Sequence, residues 1–238
     1  SRTFSVTNVV TFLAYAATGG VFFLVVLNLQ VVSGYTPLAA GTALLPVTAL
    51  MLLFSARAGM LAQRIGPRIP MTAGLIVCAV AMVLLSFVGA EAPYLTQVLP
   101  AAILLGAGFS LLVAPLTASA LGALDDAHAG IASGVNNAVA RAAGLLAVAV
   151  LPLAAGLGSG SLTDAAALHP MYHNAMLICA GLTVAAAVVA WIFMPSRLPG
   201  HAPMPAETPA PAAAPRSFCD PAGPPIHACP RSGDATVR

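Results

Sequence analysis

The chain has 238 residues, of which 59% are hydrophobic and 7% charged, with a mean hydropathy of +0.94 and a net charge of +2. A soluble domain needs far more polar surface than this to cover itself, and so small a net charge excludes a broad basic surface for nucleic acid. Two of the four cysteines, Cys78 and Cys179, lie in apolar runs and two, Cys219 and Cys229, in the tail, which gives no disulfide framework.

Six apolar stretches follow in order, at residues 9–32, 38–56, 71–89, 95–119, 130–157 and 172–194. A helix needs about 20 such residues to cross a hydrocarbon core, so each is predicted to span a membrane. The predicted fold class is an all-α integral membrane bundle of six transmembrane helices, occupying residues 1–197. The first span carries Tyr15, a Gly19–Gly20 pair that permits bending or close approach, and Asn28 and Gln30 near one end. Those two amides either contact a substrate or satisfy interfacial water. Pro46 in the second span and Pro100 and Pro115 in the fourth are predicted bends. Gly106, Ser110 and Ala114, spaced by four, form a small-residue packing seam.

The fifth span is the most informative. Gly130, Gly134, Asn137, Arg141 and Gly144 are spaced 4, 3, 4, 3 and so share one helical stripe, which is predicted to face protein rather than lipid. No carboxylate occurs in any of the six runs, and a guanidinium about 16 Å beyond Gly130 needs a partner, water or a cavity. Arg141, with Asn136 and Asn137, is expected to line or brace a central pathway. The competing reading is an arginine whose stem follows the helix while its head reaches the headgroups.

Turns separate the spans: "SGYTP" at 33–37, "RIGPRIP" at 64–70, "GAEAP" at 89–93, "LDDAHAG" at 124–130 and "GSGSLTDAAALHP" at 158–170. Asp125 and Asp126 are adjacent and point about 100° apart on a helix, which suits a cap better than paired catalytic carboxylates. His169, His173 and Asp164 read as a helix start rather than a metal site, and Cys219, Asp220, His227 and Cys229 match no strong zinc spacing. "GLGSG" at 156–160 lacks the following Lys and hydroxyl of a phosphate cradle. No catalytic residue, metal or cofactor is expected, and the chain is not read as an enzyme. From Pro195 onward Pro and Ala dominate, so residues 198–238 are predicted to be a disordered tail.

All nine basic residues are arginines. Arg64 and Arg68 occupy one loop with Arg57 just before it, while the loops at 33–37, 89–93 and 158–170 hold none. Short arginine-rich loops stay in the cytoplasm, which predicts cytoplasmic ends for the chain in a cell (plasma) membrane. Arg2, Arg197, Arg216, Arg231 and Arg238 then fall on that side, with Tyr35, Tyr94 and Tyr172 at the outer boundary and Trp191 near the inner one. A first residue of Ser rather than Met suggests a piece of a longer protein.

"GMLAQRIGPR" at 59–68 resembles the loop signature of the major facilitator superfamily, roughly Gly-x-Leu-Ala-Asp-Arg-x-Gly-x-Arg, through Gly59, Leu61, Ala62, Arg64, Gly66 and Arg68. Gln63 replaces the acidic residue. "LQVVSGYTPLAAGTALLP", "LLGAGFSLLVAPLTASAL" and "AGIASGVNNAVARAAGLLAVAV" are similar, in order and spacing, to segments of its fourteen-helix drug:proton antiporters. The resemblance covers residues 4–195. It implies the C-terminal six-helix half of such a transporter, working against an N-terminal half that holds the proton sites and is absent from this chain. It further implies that Gly59, Gln63, Arg64, Gly66 and Arg68 form a cytoplasmic gating loop, weakened because neutral Gln63 can only hydrogen-bond. The expected partners are the lipid bilayer, that missing half, protons and small amphipathic substrates exported by alternating access. The alternative is a six-helix membrane scaffold whose Pro-rich tail binds a partner.

Overall fold

The computed structural model describes residues 2–122, 128–156 and 162–195. The Asp125–Asp126 pair, most of the GLGSG run and the tail lie outside them. Its helices are α1 (Arg2–Val31), the short α2 (Pro37–Thr42), α3 (Leu45–Ile65), α4 (Arg68–Leu85), α5 (Leu99–Leu121), α6 (Ala129–Ala154) and α7 (Ala165–Phe193). A π-helical turn at Tyr94–Val98 leads into α5. Taken with α2 and α3 as one span, six are long and apolar enough to cross a membrane.

The helices outrun the apolar runs that announce them. α3 continues nine residues past position 56, because Arg57, Met60, Leu61, Gln63 and Arg64 are all good helix formers and nothing interrupts them until Gly66 and Pro67. Thr36 caps α2, its Oγ1 accepting from the Ala39 N–H at 3.2 Å, with Pro37 as the first helical residue. Pro46, expected to bend a span, sits at the second residue of α3, just after a break at Ala43–Leu44 that divides α2 from α3. Pro100 is likewise the second residue of α5 rather than a bend within it, whereas Pro115 lies inside the helix. α7 begins at Ala165, seven residues before position 172, because Asp164 caps it by accepting from the Ala166 N–H at 3.0 Å; Pro170 is carried in its second turn.

Packing places the spans in an arc ordered α3, α5, α4, α7, α1, α6. Exchanging α1 with α5, α3 with α6 and α4 with α7 leaves every one of these neighbours unchanged. Each triplet has an odd number of spans, so the two run in opposite directions through the bundle, which is the pattern of an inverted repeat. α1 and α5 approach each other across the arc, where the Phe22 and Phe109 rings stack with centroids 6.0 Å apart. The core between them is apolar and dense, with Leu24, Leu75, Met82, Leu105 and Met176 fully buried.

At the two ends of the arc, α3 packs chiefly on α5, and α6 chiefly on α1. The α5 seam meets α3 as its spacing predicts: Ser110 Oγ donates to Leu50 O at 3.1 Å, and Gly106 lies against Val47 and Leu50. α1 and α6 cross where a Cβ on Gly19 would stand 2.8 Å from Gly144 Cα, so only glycine permits this separation. α3 and α6 are also the least covered spans, with only 22% of each buried within the chain.

Candidate functional site

One polar contact joins α1 to α6. Thr11 Oγ1, fully buried, donates to Asn136 Oδ1 at 2.8 Å and ties the two helices together about two turns or more in from their N-terminal ends. Tyr15, one turn further along α1, is half-buried beside this contact, and its backbone lies near Gly144. Asn136 is thereby fixed at the helix interface.

The rest of the predicted stripe lies elsewhere on α6. Gly130, Gly134, Asn137 and Arg141 are exposed within the chain, and a Cβ on Gly130 or Gly134 would meet nothing within 4 Å; Gly144 is the member that packs. Arg141 comes twelve residues after the start of α6, about 18 Å along its axis. No described span contains a carboxylate to neutralise it. The α6 face bearing Asn137 and Arg141 is thus left uncovered by the described residues.

Asn28 and Gln30 are not brought to this face. Asn28 is completely buried, and its Nδ2 donates to Val88 O at 3.0 Å while its Oδ1 finds no partner. Gln30 bonds back to Val26 O at 3.4 Å on its own helix. Asn28 belongs to a different device. After α4 the chain unwinds, and the carbonyls it frees accept in turn from Tyr172 at Leu85, His173 at Ser86, Asn28 at Val88, Ser33 at Gly89 and Tyr35 at Ala92, all between 2.7 and 3.0 Å. A carbonyl can only accept, so His173 Nδ1 carries the proton. Five side chains from α1, the segment after it and α7 therefore button down this connection.

At the opposite end, the segment resembling a gating loop is mostly helix. Gly59, Gln63 and Arg64 lie in the last two turns of α3, and the connection itself is only Gly66 and Pro67. Gly66 adopts φ 86° and ψ 160°, a region essentially reserved for glycine. Gly59 is under no such constraint: a Cβ there would sit 3.7 Å from Ala114 Cβ, an ordinary contact. Gln63 and Arg64 are exposed. Arg68 turns away from them and lays its guanidinium over the Trp191 ring of α7, 4.3 Å from the centroid.

Sequence reasoning missed Thr11, Phe22 and Phe109. For Thr11 a signal existed, since Thr7, Thr11 and Tyr15 recur every four residues on α1.

Comparison with known proteins gives a consistent picture. The family profile of the Major Facilitator Superfamily matches residues 7–223. The puromycin resistance protein pur8 of Streptomyces alboniger is 30% identical over 190 residues, which is 75% of this chain and 38% of that protein. The multidrug resistance protein Stp of Mycobacterium tuberculosis is 35% identical over 137 residues, 58% of this chain and 25% of Stp. The cephamycin export protein CmcT of Amycolatopsis lactamdurans is 29% identical over 183 residues, 76% of this chain and 37% of CmcT. The chain thus spans between 25% and 38% of the length of these relatives.

Proposed function

Because the chain belongs to the major facilitator superfamily, we propose that it forms one six-helix half of a multi-pass membrane transporter that exports amphipathic drugs by alternating access. The names of its relatives, resistance and export proteins, support the cargo class. The observation that carries the mechanism is the uncovered polar face of α6. Asn137 and Arg141 stand midway along α6 and are exposed among the described residues. A second helical bundle set against α3 and α6 would enclose that face, leaving Arg141 beside a water-filled path or a carboxylate of the other half. Asn136 and Tyr15, held at the α1–α6 crossing, would position the wall of that path.

A proton-coupled cycle needs an ionisable group within the membrane that changes protonation as access alternates. The described spans contain no carboxylate, so the coupling acid is assigned to the other half, and this chain alone does not drive export. Arg64 and Arg68 are assigned to the cytoplasmic face of the plasma membrane, where Gly66 gives a tight turn that can seat against neighbouring helix ends.

The test is Arg141→Ala in the complete protein, reconstituted in liposomes with an imposed pH gradient. Dye export is expected to fall at least tenfold with unchanged membrane yield. Undiminished export would leave Arg141 as a headgroup anchor only. The orientation is checked separately in intact cells: an impermeant thiol reagent should label a cysteine placed at Ser159 and spare one placed at Gln63, which is exposed at the end of α3.

A further inference from the structure

A second feature of α1 lies away from the polar face of α6. Between α1, α6 and α7 is an open cleft of about 280 Å³, lined only by apolar side chains, among them Phe12, Ala16, Leu146, Ala147, Val150 and Leu182. It forms where α6 and α7 flank α1 while barely touching each other. On the α1 helical wheel Phe12 and Phe22 stand about 80° apart, and Phe22 is the residue that stacks on α5. The cleft therefore opens about a quarter turn around α1 from its contact with α5.

A track leads to it from one end of the molecule. Arg2, Ser5, Val9 and Phe12 are spaced 3, 4, 3 along α1, which sets them on one face, and all four are exposed. Leu182, Val189 and Phe193 run beside them on α7 with spacings of 7 and 4. The track begins where the Arg2 guanidinium lies over the Phe193 ring, 5.7 Å from its centroid. It reaches Phe12 ten residues later, about 15 Å along the helix, half the thickness of a hydrocarbon core.

Among the described residues the charge at the mouth of the track is one-sided. Arg2 and, on the other flank of α7, Arg68 both rest on aromatic faces, and among the described residues no carboxylate pairs with either. The described acids, Glu91 and Asp164, border the connections at the opposite end of the bundle. A cation at the mouth of an apolar channel about one leaflet deep suits an anionic amphiphile, and the membrane's own supply of these is a phosphate ester joined to hydrocarbon chains.

We propose that Arg2 and the α1–α6–α7 cleft form a binding site for one acidic phospholipid, its headgroup phosphate on Arg2 and one acyl chain lying along Val9 and Leu182 into the cleft. The lipid closes a gap that the helices leave between α6 and α7. Selectivity for negative headgroups arises at Arg2 and attachment arises in the cleft, so the two are separable.

The complete protein, purified in mild detergent, is titrated with phosphatidylglycerol and separately with phosphatidylcholine, and bound lipid is counted by native mass spectrometry. Phosphatidylglycerol is expected to be retained at least fivefold more tightly. Arg2→Gln removes that preference while leaving the weaker, charge-independent binding. Ala147→Phe fills the cleft and lowers retention of both lipids about tenfold; Phe12→Trp, from the opposite wall and at a position 41% exposed, does the same should the first variant not fold. Equal retention of the two lipids by the unaltered protein overturns the site. So does unchanged retention in folded cleft variants, or full displacement of the lipid by inorganic phosphate, which would mark a free-anion site. A lipid-free dimer would assign the cleft to a second copy and overturn it as well.

Discussion

Gly19 and Gly144 meet backbone to backbone where α1 crosses α6: a Cβ built on Gly19 would stand 2.8 Å from Gly144 Cα and 3.0 Å from Gly144 O. The obstacle is backbone, which cannot rotate aside. Gly19→Ala therefore forces the helices apart and is expected to cost about 1–3 kcal/mol, the usual penalty of overpacking. Thermal unfolding in detergent measures it, and an unchanged midpoint would mean that α6 slides freely on α1.

Thr11 and Asn136 supply the polar half of the same contact. Interhelical hydrogen bonds in membranes average about 0.6 kcal/mol, so a double-mutant cycle of Thr11→Val and Asn136→Ala should return a coupling energy of that order. Strictly additive single variants would show that the bond is not formed in solution.

Gly66 and Gly59, seven residues apart in the same motif, are expected to respond oppositely. Gly66→Ala must place a Cβ in a backbone region that costs about 1–3 kcal/mol for other residues, and folded yield should drop. Gly59→Ala should be neutral or slightly stabilising, because helix interiors prefer Ala and Ala114 leaves room. Equal losses at both positions would require a constraint on Gly59 that this structure does not contain.

Trp191 is the single tryptophan, so its emission reports directly on the guanidinium above it. Arg68→Ala should change the emission maximum and cost about 0.5–1 kcal/mol, the range for a cation–π contact at a partly exposed site. A spectrum identical to that of the unaltered protein would place Arg68 elsewhere.

Tyr172→Phe removes the donor to Leu85 O from a fully buried site. The Leu85 carbonyl keeps its bond from the Val88 N–H at 3.0 Å, so the loss should be about 0.5–1.5 kcal/mol, the net worth of one hydrogen bond, and hydrogen exchange at residues 86–92 should accelerate. Protection that stays the same would show that the other four bonds hold the connection unaided.

The six spans could be read from the chain because burial in lipid demands continuous apolar residues, and that demand leaves a plain record. Their ends could not. α3 and α7 run on past the hydrocarbon boundary through Arg57 to Ile65 and from Ala165 to Pro170, where only caps and breakers set the limits. The α6 stripe was legible by spacing, yet spacing says which residues share a face and not what covers it. Asn136, one position off the stripe, is the residue that reaches Thr11; of the stripe itself Gly144 packs, and Gly130, Gly134, Asn137 and Arg141 remain open. Asn28 misled because a polar group near a span end normally meets water, whereas here a frayed helix supplies the acceptor. Contacts such as Phe22 with Phe109 depend on which helices become neighbours, and nothing local specifies that.

The carbonyl straps over residues 85–92 make the bundle mechanically unequal. One rim is stitched by directional bonds reaching across three parts of the chain, while the other relies on guanidinium groups resting on rings, which tolerate sliding. In the alternating-access cycle proposed above, the stitched rim is expected to move as a single plate and the arginine-bearing rim to yield.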